Sequence, residues 1–152
     1  MSSNHIHQEK LIENLRELSD DTPPKNASDK LSAIPIIHEL SSLYIILHNT
    51  IRDFQKLERY ALGTMIEKVL LECIENCFAS TVAQHGRKLD YLIRTSALFD
   101  TLKLFIRIAV SIHCLEEKTY IKLIPRLGEI GRMLGGWLQK AKSYNPNSNS
   151  KS

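Results

Sequence analysis

Four successive stretches of this 152-residue chain carry apolar residues at alternating steps of three and four, the spacing that lines one face of an α-helix. The first holds Ile37, Leu40, Tyr44, Leu47, Ile51 and Phe54, and the second Leu62, Ile66, Val69, Cys73 and Cys77. The third runs through Leu89, Leu92, Ser96, Phe99, Leu102, Ile106, Ala109 and Ile112, and the fourth through Thr119, Leu123, Leu127, Ile130, Leu134 and Trp137. Strict polar/apolar alternation of the kind a sheet needs is absent from the chain, so the fold class is all-α. Polar breaks fall at 55–58, at Gln84-His85-Gly86 and at Leu115-Glu116-Glu117. Connections this short set consecutive helices antiparallel, and the closure that follows is an up-down-up-down four-helix bundle over residues 34–142. At 1.5 Å per residue the second to fourth helices would be about 33 to 42 Å long, giving an elongated rod.

The flanks read differently. Residues 1–33 form an N-terminal extension: a short amphipathic stretch with Leu11, Ile12, Leu15 and Leu18 at helical spacing, then a polar linker from Ser19 to Asp29 containing Pro23 and Pro24. Residues 143–152, rich in Asn and Ser, bury too little apolar surface to offset the entropy of ordering and read as a disordered tail. The longest apolar run, Leu98 to Leu115, is broken by Asp100, Lys103 and Arg107, so no membrane span is expected. The first ten residues lack the basic start and apolar core of a signal peptide, and a cytoplasmic protein is expected. Three cysteines without a Cys-x-x-Cys pair fit reduced, buried thiols in that compartment.

Two features disturb the simple helical pattern. Pro125 lies about two turns inside the fourth helix, where its missing N–H and its ring predict a bend or interruption near Ile121. The same helix carries Gly128, Gly131, Gly135 and Gly136, four of the chain's 6 glycines, each costing roughly 1 kcal/mol relative to Ala in a helix interior. Gly128, Gly131 and Gly135 lie three and four apart and form a smooth strip beside the Leu127, Ile130, Leu134 stripe. That strip predicts a close approach by another backbone; the alternative is that the helix ends at Gly135.

The net charge of +3 conceals a segregation. Residues 34–75 hold 4 basic and 6 acidic residues, whereas residues 76–142 hold 11 basic and 5 acidic. In the basic half Lys103 and Arg107 are one turn apart, Arg94 lies nine residues before Lys103, and Lys118, Lys122 and Arg126 step by four. Such rows suit a phosphate backbone or an acidic protein surface, and they are also what a solvated bundle face carries. Catalytic constellations are weak. His5-x-His7 supplies too few ligands for a metal, His38, His48, His85 and His113 read as surface or helix-end residues, and Glu72, Glu75, Glu116 and Glu117 lack the Glu-x-x-His pairing of di-metal bundles. Neither a phosphate-binding glycine loop nor a nucleophile elbow occurs. No enzyme, metal site or cofactor is expected.

The segment Gly128-Glu129-Ile130-Gly131-Arg132-Met133-Leu134-Gly135-Gly136-Trp137-Leu138 closely resembles the C-terminal signature of the accessory variability determinant (Avd) proteins of diversity-generating retroelements. More loosely the resemblance covers residues 36–142. Tyr60-Ala61-Leu62-Gly63 with Ile66-Glu67 looks like the start of that family's second helix, and Leu102-Lys103-Leu104-Phe105-Ile106-Arg107 like a segment of its third. The resemblance implies a four-helix bundle assembling as a ring-like homopentamer, without catalysis of its own. It also implies binding to the element's reverse transcriptase and to nucleic acid, RNA and possibly DNA, in support of mutagenic reverse transcription that diversifies a target gene. Lys103 and Arg107 match the family's basic pair, and Arg94, Lys122 and Arg126 extend the expected binding surface. Within the signature Trp137 is expected in the core and Arg132 at an inter-helix or inter-subunit contact, with Gly128, Gly131 and Gly135 as packing or oligomer positions. A ring of five would gather the charge of +3 into about +15 on one particle. The sequence departs from the family where a Pro-Arg/Lys pair is replaced by Phe54-Gln55-Lys56-Leu57-Glu58-Arg59, and in the N-terminal 33 residues. A similar bundle family, encoded by intervening sequences in 23S ribosomal RNA genes, implies the alternative of a structural or RNA-associated role.

Overall fold

The computed structural model describes residues 28–144, with the side chains of residues 35–84 and 86–144. The amphipathic stretch at 11–18, most of the 19–29 linker, His5, His7 and most of the tail lie outside the described residues. Four long helices account for the fold: α1 (Ser28–Ile51), α2 (Thr64–Val82), α3 (His85–Ser111) and α4 (Glu117–Ser143). No strand occurs among the described residues. α1 starts ahead of the expected boundary at 34 and runs through Pro35. α4 takes in Ser143 at its end.

The 3–4 periodicity translates into one shared core. Leu40, Leu43, Leu47, Leu70, Phe99, Leu102, Ile106 and Ile130 are all at most 2% exposed. In α2, α3 and α4 the buried stripes follow the expected residues, with Thr95 in place of Ser96, with Leu62, Leu89, Thr119 and Trp137 only half-buried, and with Ile112 exposed just past the end of α3. Of the first stripe, Leu40, Leu47, Ile51 and Phe54 are buried as expected, while Ile36 and Leu43 are buried in place of Ile37 and Tyr44, which are half-buried flanks. α1 packs on both α2 and α4, and Ile36 and Leu43 widen its apolar face to one side of the expected stripe. The two buried hydroxyls are satisfied within their own helices, Thr95 donating to the Tyr91 carbonyl at 2.8 Å and Ser80 to the Cys77 carbonyl at 2.6 Å.

Pro125 does not interrupt α4, which is helical from Glu117 to Ser143. Both Pro125 and Ile121 are exposed, so the hydrogen bond that proline forgoes lies on the solvent side, where water supplies a partner. The feature that sequence spacing did not anticipate is the entry to α2. Lys56–Glu58 begins a helix that widens into a π-helical segment, Arg59–Gly63, before α2 proper. The Thr64 N–H reaches back to the Arg59 carbonyl, and the Arg59 guanidinium donates to the Phe54 carbonyl at 3.1 Å. This segment turns Gly63 onto the end of α1, where a Cβ would sit 2.6 Å from Cγ2 of Ile51. Ile51 is buried and β-branched, so it has little freedom to yield. Gly63→Ala should therefore destabilise the protein by about 1 to 3 kcal/mol, read by urea unfolding, despite alanine's better helix propensity. Recovery in the Gly63→Ala/Ile51→Ala pair relative to additive losses would confirm the contact; strict additivity would contradict it.

α3 closes on a Schellman turn, with the Cys114 N–H bonded to the Ala109 carbonyl at 2.9 Å and the His113 N–H to the Val110 carbonyl at 3.0 Å. His113 occupies the left-handed position, φ 61°, that glycine usually fills. His113→Gly should stabilise the protein by about 1 kcal/mol; a lower melting temperature in that variant would show that the imidazole makes a compensating contact.

Candidate nucleic-acid and partner interface

α3 presents Lys103 and Arg107 one turn apart on its flank toward α4. Lys103 is held from two sides: its Nζ lies 2.8 Å from Asp100 Oδ1 and 5.3 Å from the centroid of the Phe99 ring. Phe99 is itself buried, with Cε1 3.8 Å from where a Cβ on Gly131 would lie. One aromatic ring thus joins the glycine strip of α4 to the ammonium of α3. The Asp100 partner is itself 68% exposed, so the pair is screened by water and the ammonium stays available. Arg107 is exposed and has no ion-pair partner among the described residues.

The other expected basic residues do not join this pair. Nine helical residues amount to two and a half turns, which puts Arg94 on the opposite flank of α3 from Lys103. There it lines a recess of about 350 Å³ with Glu72, Glu75, Asn76, Ala79 and Tyr91. Arg126 is engaged across the bundle, its Nη1 2.9 Å from Glu39 Oε2, and so ties α4 to α1. Lys122, one turn earlier, is exposed on that same α1 side. The five basic residues are therefore distributed over three surfaces: Lys103 with Arg107 toward α4, Arg94 on the opposite flank of α3, and Lys122 with Arg126 on the α1 side of α4.

The glycine strip differs from its expected role within the subunit. A Cβ on Gly128, Gly135 or Gly136 would meet nothing within 4 Å, so among the described residues no backbone packs against them. Arg132 is 74% exposed and pairs with Glu129 on its own helix, so within the chain it makes no inter-helix contact. Trp137 sits at the rim of the core, half-buried, with the Lys88 ammonium 5.8 Å from its ring centroid.

Two cross-helix ion pairs were not legible from spacing: Glu39 with Arg126, and His48 Nδ1 with Glu67 Oε1 at 2.5 Å. Partners on different helices leave no periodic signal. Among the described residues no three metal-ligating side chains converge, and no helix is long and apolar enough to cross a membrane. All three cysteines are free. Burial pushes the Cys73 and Cys77 thiols up to about 12, and raises Cys114 as well, with the Glu58 carboxylate adding to the effect. In the unfolded chain these thiols would ionise near 8.5, so folding holds protons that the unfolded chain releases above that pH. Stability should accordingly be full below about pH 8 and fall progressively as pH rises from there toward 12, as Cys73 and Cys77 hold protons that the unfolded chain gives up. Unfolding midpoints of wild type and Cys73→Ala/Cys77→Ser should converge as pH rises; parallel pH profiles would contradict the assignment.

The family model described as bAvd-like matches residues 36–141. The chain belongs to the bAvd-like family. No curated protein matches this bAvd-like chain, and no solved structure matches it. The matched span contains all of the described core and ends within α4, past the Gly128–Leu138 segment. Lys103, Arg107, Phe99 and Gly131 all lie inside the bAvd-like module, whereas the amphipathic stretch at 11–18 lies outside it.

Proposed function

We propose that this bAvd-like chain is a non-enzymatic accessory protein of a diversity-generating retroelement. Residues 34–142 act as the working unit, an up-down-up-down bundle that binds the element's reverse transcriptase together with its template RNA or nascent cDNA. The observation that carries the reading is the pair Lys103 and Arg107, exposed on a family module and backed by the buried Phe99 ring. Two cations one turn apart on a rigid helix suit a phosphate backbone or an acidic polymerase surface without any chemistry of their own.

Self-association belongs to the same proposal. A ring-like homopentamer would bring five Lys103–Arg107 pairs onto one particle, turning a weak phosphate attraction into a multivalent one. The open glycine positions Gly128 and Gly135 leave room for a neighbouring backbone, and Arg132 stands beside them for an inter-subunit contact. We place the protein in the cytoplasm, in keeping with its three free thiols. Reconstitution tests the role: purified reverse transcriptase with template RNA should yield extended cDNA only when this protein is added. Equal cDNA yield and error frequency with and without it would reject the accessory role.

A further inference from the structure

The π-helical entry to α2 sets Gly63 against Ile51, and it also aligns a row of side chains on the opposite, solvent side. Residues 56–82 form one continuous helix, α-helical over Lys56–Glu58, π-helical over Arg59–Gly63 and α-helical again from Thr64. In a plain α-helix positions four apart drift by about 40° a step, so Lys56, Tyr60, Thr64 and Lys68 would wind about 120° around the axis. A π turn holds more residues than an α turn and rotates each of them by less. The 5 residues of the π segment therefore take back much of the drift. All four side chains are exposed. They form a nearly straight outward row with a cation at each end and a phenol and a hydroxyl between.

The members of this row are unengaged where their neighbours are not. Tyr60 is 68% exposed, and among the described residues its ring stacks on no other ring and lies under no cation. Neither Lys56 nor Lys68 is in an ion pair among the described residues. The charged residues within the same span are held elsewhere. Glu67 pairs with His48 of α1, Glu58 lies near enough to Cys114 to raise its thiol, and the Arg59 guanidinium donates to the Phe54 carbonyl. The Thr64 hydroxyl donates to the Arg59 carbonyl at 3.3 Å, which ties the centre of the row to the π turn. From Lys56 to Lys68 the row runs about 18 Å at 1.5 Å per residue, the length of roughly five stacked nucleotides at 3.4 Å each. An open aromatic face between cations along a rigid line is the arrangement that tracks a single strand, with bases on the ring and phosphates on the cations.

We propose that the Lys56–Lys68 row is a single-stranded nucleic-acid site, in which Tyr60 stacks on an unpaired base while Lys56 and Lys68 hold the flanking phosphates. The site deepens the function proposed above and rests on it for the strand that arrives, template RNA or cDNA. It lies on a different helix from Lys103 and Arg107 and has a different selectivity. Those two attract any phosphate backbone or acidic surface by charge, whereas Tyr60 distinguishes a single strand from a duplex, whose bases are already stacked.

Binding of short oligouridine and oligothymidine strands to the full-length protein tests the site, with a blunt duplex of the same length as the control. Tyr60→Ala should weaken single-strand binding about fivefold or more, the loss of one base–aromatic stack, and leave duplex binding unchanged. Tyr60→Phe keeps the ring and should stay within about twofold of wild type. Lys56→Gln/Lys68→Gln should lower the slope of log affinity against log salt by about 1.4, at about 0.7 for each single-strand phosphate. Either sugar supports the site, and the tighter strand names template RNA or cDNA as its occupant. Equal single-strand affinity in wild type and Tyr60→Ala, or an equal loss on the duplex, would overturn the stacking. A Tyr60→Ala loss confined to the polymerase without nucleic acid would assign the row to a protein contact and overturn the proposal as well. If single-strand binding depends on Lys103 and Arg107 but not on Tyr60, this site falls while the accessory function stands. A wild type that binds neither strand nor polymerase would overturn both.

Discussion

Lys103→Glu combined with Arg107→Glu should abolish binding to the reverse transcriptase and its RNA, with a loss on the order of 100-fold or more, while helicity and particle size stay at wild-type values. Each charge-assisted contact is worth roughly 1.5 to 3 kcal/mol, and reversal adds repulsion to the loss of attraction. The slope of log affinity against log salt should fall by about 2, one for each phosphate contact removed. Folding should be nearly indifferent, since Arg107 is exposed and the Lys103–Asp100 pair is a water-screened contact within one helix. Arg94→Glu is the informative control: it lies on the opposite flank of α3 among Glu72 and Glu75, so its effect should be a few-fold at most. Undiminished binding in the double variant would remove Lys103 and Arg107 from the mechanism.

Phe99→Ala should be the most damaging single substitution to the fold, at about 3 to 5 kcal/mol. The ring is 2% exposed and sits where α3 meets α4, beside Gly131. At roughly 2 to 4 °C per kcal/mol for a domain of this size, the melting temperature should fall by about 6 to 20 °C. Phe78→Ala, at a ring that is 58% exposed, should change stability by about 0.5 kcal/mol or less. The variant also separates two roles of Phe99. At a temperature where it remains folded, RNA affinity should still drop several-fold, because Lys103 loses the surface that orients it. A melting temperature within about 2 °C of wild type would contradict the packing described for α3 and α4.

The helical periodicity was enough to place the core because each long helix turns one apolar stripe toward its two neighbours. Ile66, Val69, Cys73 and Cys77 of α2 and Leu123, Leu127, Ile130 and Leu134 of α4 are buried where their spacing puts them. In α1 Leu40, Leu47 and Ile51 are buried where their spacing puts them, and only Ile37 and Tyr44 give way to Ile36 and Leu43. The π-helical segment at Arg59–Gly63 left no trace in the spacing except a glycine, since one extra residue in a turn shifts the phase of everything before it. The C-terminal glycine pattern marks open surface at Gly128 and Gly135 and an ordinary contact with the Phe99 ring at Gly131. At the basic surface, spacing identified Lys103 and Arg107 correctly as neighbours. The same reasoning could not show that Arg126 is spent on Glu39 or that Arg94 faces the other way, because those are facts about partner helices. The exposed Ile93, Leu104 and Ile108 were hidden for a related reason: they form a second apolar stripe on a helix already credited with its core face.

The most direct test of the central claim is co-purification of this protein with a reverse transcriptase of a diversity-generating retroelement from the same genome, with particle mass read by light scattering at low and at moderate salt. The account predicts a stable complex whose mass equals the polymerase plus a ring of this chain, weakening as salt rises. A lone oligomer that binds neither the enzyme nor its RNA at either salt would contradict it and leave the bundle with the structural, RNA-associated role of the ribosomal intervening-sequence proteins it also resembles.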